Sequence, residues 1–251
     1  MSKKLLVLIV LCVTFLMLGG IASAAPAVLN VGSDTAFAPF EFQGEGMEYE
    51  GFDIDLIKAI GRAIGSEVKV QGMNFDGLIP ALDAGNIDCV ISAMTITEER
   101  AKKINFSTPY YKSGLSLVVR TDDNSIRDFG DLNGKRIAVQ IGTTGADKAK
   151  EVSGAAIREF NTAPEAFLEL QSRGVDAVIN DLPVNEYYIA VMDGRGGKLV
   201  GEPLTSEDYG IATAKSNPQL TAEINAALQQ LKDNGEYAAI YVKWFNRQPP
   251  Q

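Results

Sequence analysis

Short β-branched runs alternate with amphipathic stretches along most of the chain, and this alternation constrains the fold more than any other feature. "VLNVGSD" (28–34), "EVKVQGM" (67–73) and "IDCVISAM" (87–94) read as strands, and "FDIDLIKAIGRAIG" (52–65) and "DGLIPALDAG" (76–85) between them read as helices. The order βαβαβ predicts a parallel sheet covered by helices. A second series follows, with strands at "SLVVR" (116–120), "RIAVQIG" (136–142), "IREFN" (157–161) and "VDAVIND" (175–181). Its helices are "TTGADKAKEV" (143–152) and "APEAFLELQSRG" (163–174). Two such series predict an α/β protein of two lobes. The chain closes with a strand-like "YGIATAK" (209–215) and two helices hinged at Asn234-Gly235. Trp244, at the end of the last helix, reads as a core anchor. No linker, repeat or low-complexity tract separates the lobes, so their boundaries are expected to be crossover strands.

The first residues do not belong to this globule. Lys3 and Lys4 precede an apolar run from Leu5 to Leu18, and Ala22-Ser23-Ala24 offers a small-residue cleavage site, the pattern of a secretory signal peptide. Cleavage is expected after Ala24, because cutting one residue later would leave Pro26 at the new terminus. Cys12 lies inside the apolar run behind Val10 and Leu11, so no lipid anchor is expected. Losing residues 1–24 removes two lysines and no acids and moves the net charge from −9 to −11. So acidic an exported chain is a poor partner for nucleic acid or anionic membrane. Cys89 is then the one remaining cysteine, which excludes an intramolecular disulfide, and it reads as a buried, inert thiol. The absence of histidine takes away the usual zinc ligand and the usual general base together. No metal or cofactor is expected.

Several residues call for a partner. Thr95 and Glu98 fit a capping box, and Glu98 and Glu99 read as solvated helix surface. Arg100 has Ile96 and Ile104 four residues to either side, which places a guanidinium on an inward stripe with no acid three or four residues away. Its partner is a residue distant in sequence or a ligand; a snorkelling or structural arginine is the alternative. "GTTGADK" (142–148) follows a strand and opens a helix, a weak anion-binding signal that is not a phosphate-loop motif and that by itself reads first as a plain strand-to-helix turn. Asp34 and Asp181 fall at the C-terminal edges of predicted strands, the edge that lines ligand crevices in open α/β sheets, although both also suit turn or helix caps. Phe37 and Phe75 follow strands and read, by themselves, as core.

"GFDIDLIKAIGRAI" (51–64), "FDGLIPALDAGNID" (75–88), "TITEERAKKINFSTPYYKSG" (95–114), "GTTG" (142–145) and "NGEYAAIYVKWF" (234–245) together resemble the periplasmic polar amino acid binding proteins, family 3 of the extracellular solute-binding components of ABC importers. "SDTAFAPFEF" (33–42) is similar to the glutamine-binding members in particular. The resemblance implies a type II periplasmic binding protein fold, two lobes joined by two crossover strands that act as a hinge, with one amino acid held between them. It places the crossovers near Tyr110–Gly114 and Thr205–Tyr209, the large lobe at 25–110 and 209–251, and the small lobe at 111–208. It also implies that Arg100 pairs with the ligand α-carboxylate, helped by amides near Thr95 and by Thr144. Asp181 would receive the α-ammonium, with the Ala93 carbonyl and the Thr95 hydroxyl as further acceptors. Phe37 and Phe75 would sandwich the aliphatic stem, and Asp34 would accept a hydrogen bond from its polar end.

The chain departs from the glutamine binders where they carry Lys and His, here Gln140 and Asn180. Neutral amides suit a glutamine amide and also tolerate a guanidinium against Asp34, and Ser92 can add a hydroxyl to either. A single acid facing the side chain favours glutamine over arginine, lysine or histidine. The implied partner is an ABC transporter permease, with the protein itself monomeric, periplasmic and not membrane-inserted. An enzyme on this scaffold, such as a dehydratase, would have Asp34 and Asp181 as its acids and is not expected; a sensory binding protein would need a separate receptor.

Overall fold

The computed structural model describes residues 27–193 and 196–250; segment 1–24, which the sequence reads as a signal peptide, lies outside them. Two five-stranded sheets form, and their orders are alike. In the first, Val28–Ser33 pairs in parallel with Glu67–Gly72 on one side and Cys89–Val90 on the other, and Ala212–Ala214 and Ile104–Phe106 complete the sheet. In the second, Arg136–Gln140 lies in parallel between Ala156–Phe160 and Ala177–Asp181, and Leu115–Val119 and Lys198–Val200 follow. In each, the strand entered from a crossover, Ala212–Ala214 in the first and Leu115–Val119 in the second, runs antiparallel to its neighbour. The sequence readings of two α/β lobes and of parallel βαβ units hold.

Local chemistry sets the covering helices. In Phe52–Ile64 the residues Phe52, Leu56 and Ile60 recur every fourth position and are fully buried, and Gly65 ends the helix in the left-handed conformation at φ 77°. Thr162 and Glu165 form a reciprocal capping box at the start of Ala163–Gln171, with Pro164 in its first turn. Asn217 accepts from the Leu220 amide at 3.1 Å to start Pro218–Asp233.

Two short strands, Tyr111–Ser113 and Glu207–Tyr209, pair antiparallel between the sheets. The second is tied to the first lobe by Ile96 N–H to the Asp208 carbonyl (2.8 Å) and Gly210 N–H to the Met94 carbonyl (3.0 Å). An aromatic cluster backs them: Tyr111 stacks on Tyr209 at 5.6 Å, and Phe40 meets both edge-on at 4.9 and 5.3 Å. Trp244 is half-buried; it meets Phe42 edge-on at 5.8 Å and donates to Asp55 at 2.7 Å, so it fastens the last helix to the first lobe.

Four element readings need correction. The stretch 87–94 keeps only Cys89–Val90 as strand, because Ala93 turns into the left-handed region at φ 43° and carries the chain out of the sheet. The helix after it does not start at Thr95: it spans Glu98–Lys103, and Thr97 is the cap, accepting from Arg100 N–H at 3.1 Å. "YGIATAK" divides at Gly210 into the end of a crossover strand and Ala212–Ala214. The helix at 143–152 is shorter, Thr144–Lys150.

Candidate ligand-binding site

The parallel strands of both sheets end toward one cleft. Ser33 ends the first strand and Asp34 follows it, Ser92 and Ala93 follow the Cys89–Val90 strand, and Gln140 and Asp181 are the last residues of their strands in the second sheet. This is the edge at which open α/β sheets bind ligands, and it explains how residues so far apart in sequence meet. Phe37, Phe75, Ser92, Ala93, Thr95, Arg100, Gln140, Thr144 and Asp181 line one cavity together with Thr143. It measures about 10 Å³, the room of one water. The lobes therefore touch across it.

Arg100 holds one such contact. Its guanidinium donates to the Thr95 carbonyl at 2.8 Å within the first lobe and to the Gly142 carbonyl at 3.0 Å in the second, and it lies over the Phe75 ring at 5.2 Å. Gly142 sits at φ 76°, where a Cβ would be strained and would press on Asp76 at 3.1 Å. Burial lowers the Arg100 pKa, opposed by the carboxylates of Asp181, Glu207, Asp147 and Glu99. The helix carrying it buries no residue, so Arg100 faces the cleft from a short surface turn and not from an apolar helical stripe. Glu98 and Glu99 are exposed, as the sequence reading has them.

Asp181 is buried and accepts from the Tyr209 hydroxyl. Burial raises its pKa to about 7; Tyr209 lowers it, Glu207 raises it and Arg100 lowers it. Asp34 accepts from the Gln140 amide across the lobes, and burial raises its pKa to about 6 against that bond and the Ala36 N–H. Gln140 also donates to the Asn161 carbonyl at 2.9 Å.

Gln140 and Asn180 are buried on adjacent strands. The strand register pairs Ala138 with Val178, and two residues further the alternation sets Gln140 beside Asn180 on the same face. Gln140 Oε1 and Asn180 Nδ2 have no hydrogen-bond partner among the described residues.

A wall of acids stands behind Ser92 and Ala93. Ser92 donates to Glu41 at 2.9 Å and accepts from the Asp34 amide at 2.9 Å, while Asp53 accepts from the Ala93 amide at 2.8 Å and the Tyr110 hydroxyl at 2.7 Å. Glu41 and Asp53 are fully buried. Burial, then the charges of Asp53 and Asp34, hold the Glu41 pKa well above the carboxylate range, and burial raises Asp53 to about 6. Glu41 through the Ser92 hydroxyl and Asp53 through the Ala93 amide hold the left-handed Ala93 turn that lines the cavity. Cys89 is buried, with its thiol pKa pushed up.

The sequence reading did not single out Glu207, Tyr209, Glu41 or Asp53. Glu207 and Tyr209 lie two apart on a crossover strand, so strand alternation alone puts both side chains on the side facing the site. Nothing in their residue types separates them from ordinary strand positions.

The sequence of residues 29–247 matches the model of the bacterial extracellular solute-binding proteins, family 3. The chain belongs to that family. It is 33% identical to the arginine-binding extracellular protein ArtP of Bacillus subtilis, over 98% of each chain. It is 36% identical to the ABC transporter glutamine-binding protein GlnH of the same organism, over 89% of this chain and 82% of the relative. A solved structure of an ancestral arginine-binding protein bound to glutamine superposes with a TM-score of 0.86 at 44% identity, covering 89% of this chain and 100% of that one. The family 3 chain is thus an amino acid binding protein of the ABC importer type, as its sequence resemblance implies. Among the described residues no helix is long and apolar enough to cross a membrane.

Proposed function

We propose that this chain captures a free polar L-amino acid between its lobes and delivers it to an ABC permease, with glutamine as the favoured ligand. The observation that carries glutamine is the buried neighbours Gln140 Oε1 and Asn180 Nδ2, an acceptor and a donor without partners among the described residues, the first on the side chain whose Nε2 donates to Asp34. A carboxamide supplies both complements, its NH₂ to Asp34 and Gln140 and its carbonyl to Asn180, whereas a guanidinium supplies donors only and leaves Asn180 unpaired. In this reading Arg100 exchanges its carbonyl partners for the α-carboxylate in bidentate geometry, Asp181 takes the α-ammonium with Ala93 and Thr95, and Phe37 and Phe75 flank the stem with Ser92 at its polar end.

The lobes are residues 25–110 with 209–251, and 111–208, and they part and close about the paired strands at Tyr110–Gly114 and Thr205–Tyr209. A ligand that touches both lobes only when they are shut draws the equilibrium to the closed form. The protein works as a periplasmic monomer without turnover, after cleavage behind Ala24. Arginine, with lysine and histidine behind it, is the second reading. Asp34 favours it, because a cationic side chain would restore the charge of a carboxyl that burial has raised to about 6.

Isothermal titration with the twenty amino acids, on protein refolded to strip bound ligand, tests this. Tight binding of glutamine without turnover is expected. Tighter binding of arginine selects the second reading, and no binding of any amino acid sinks both.

A further inference from the structure

Glu207 stands in the hinge, and every polar atom of its carboxylate is taken by a threonine hydroxyl. Its Oε2 accepts from Thr95 at 2.6 Å and from Thr144 at 3.0 Å, one from each lobe, and its Oε1 accepts from Thr205 at 2.9 Å. Thr205 is itself held, since its oxygen accepts the Leu115 amide at 2.9 Å. A hydroxyl has one proton and a carboxylate has none to give. Once the Thr95 and Thr144 protons point to Glu207, both oxygens turn lone pairs, not protons, toward the cavity they line.

We infer that Glu207 is a positioning residue that sets the polarity of these two hydroxyls and so makes that end of the cleft a seat for a primary ammonium. The inference rests on the amino acid reading above and sharpens it. Two hydroxyl lone pairs, the Asp181 carboxylate and the Ala93 carbonyl surround the α-nitrogen with acceptors. The α-carboxylate is left to Arg100 and backbone amides, and the Thr144 hydroxyl serves the ammonium side. The site therefore selects free α-amino acids and rejects ligands of the same shape and side chain that lack the α-amino group. Glutamate at 207 does this because it only accepts; a glutamine there would offer its own NH₂ and let one hydroxyl turn its proton inward.

Isothermal titration compares the wild type with Glu207→Gln, using glutamine against glutaramate and arginine against δ-guanidinovalerate, which are the same molecules without the α-amino group. The wild type is expected to prefer the amino acid strongly. In Glu207→Gln the amino acid weakens by roughly 10- to 100-fold while its desamino partner changes little, so the ratio collapses. Thr144→Val removes one acceptor and leaves the hinge carboxylate in place, and it lowers the same ratio by a smaller factor. A wild-type ratio retained in both variants overturns the inference, whether or not Glu207→Gln also melts lower, since a purely structural hinge role moves stability and not the ratio. If the wild type binds none of the four, the amino acid reading falls and this inference with it; if it binds the amino acids and the ratio stays, only this inference falls.

Discussion

The two ends of the cleft are finished to different degrees. At the end where Arg100, Asp181 and Glu207 meet, the chain supplies its own partners: Arg100 has two carbonyls, Asp181 has Tyr209 and Glu207 has three threonines. At the other end Asp34 is paired with Gln140, but Gln140 Oε1 and Asn180 Nδ2 are buried without partners among the described residues. Buried polar atoms left unpaired are costly, of the order of 1–3 kcal/mol each. The difference teaches how such a site divides its work. On the proposed reading, the end meant for the part common to all amino acids is held in shape before any ligand arrives, and the end that distinguishes them is completed by the ligand.

Arg100→Ala gives the largest effect. It removes the one cation of the finished end and leaves an α-carboxylate facing Asp181 and Glu207, so binding of every amino acid is expected to weaken by about 3–5 kcal/mol. Titration of the variant checks this. Near-normal affinity with a much lower melting temperature would show Arg100 to be only a strut between Thr95 and Gly142.

Asp181 gives the next effect, through pH. Its pKa is raised from 3.8 to about 7, chiefly by burial. A carboxyl raised in the folded state favours folding fully below its unfolded value, and that contribution disappears as pH rises through about 7. Binding runs the other way, because an ammonium needs the ionised acid. Wild-type affinity is expected to climb by up to about tenfold per pH unit toward about pH 7 and to level off above it. Asp181→Asn is expected to bind weakly with a flat profile and, above about pH 8, to melt no lower than the wild type. A wild-type profile flat from about pH 5 to pH 9 would break the assignment of Asp181 to the ammonium.

Much of this was open to reading from the sequence, and the limits have physical causes. Alternation and amphipathic periodicity located the two βαβ series, since buried faces impose their period on the chain wherever an element is long. They failed at 87–94 and at Thr95, where a single left-handed residue, Ala93, ends the strand early and a six-residue helix is too short to show a period. Arg100 stood out because a cation among isoleucines is locally inconsistent, although the surrounding pattern was a turn and not the inward face of a helix. Glu207 and the Glu41–Asp53 pair gave no such signal. Their chemistry depends on which residues the fold brings within 3 Å across 40 to 112 positions of chain, and a single sequence contains no record of that.

Asn180→Ala gives the smallest effect and separates the two ends most directly. Asn180 is the donor that a carboxamide satisfies and a guanidinium does not. Its loss is expected to weaken glutamine by about 1–2 kcal/mol and to leave arginine within a few tenths, so the preference between them narrows or reverses while both still require Arg100. Titration of both ligands against the variant reads the shift as a ratio, which cancels any general loosening of the small lobe. Equal weakening of glutamine and arginine would place Asn180 among the residues that merely shape the lobe through Asn185, whose amide donates to the Asn180 carbonyl at 3.0 Å. Selectivity would then have to come from Asp34 and Gln140 alone, and an acid with one neutral amide beside it favours the cation. The variant therefore decides between glutamine and arginine on the one pair of atoms at which the two readings differ.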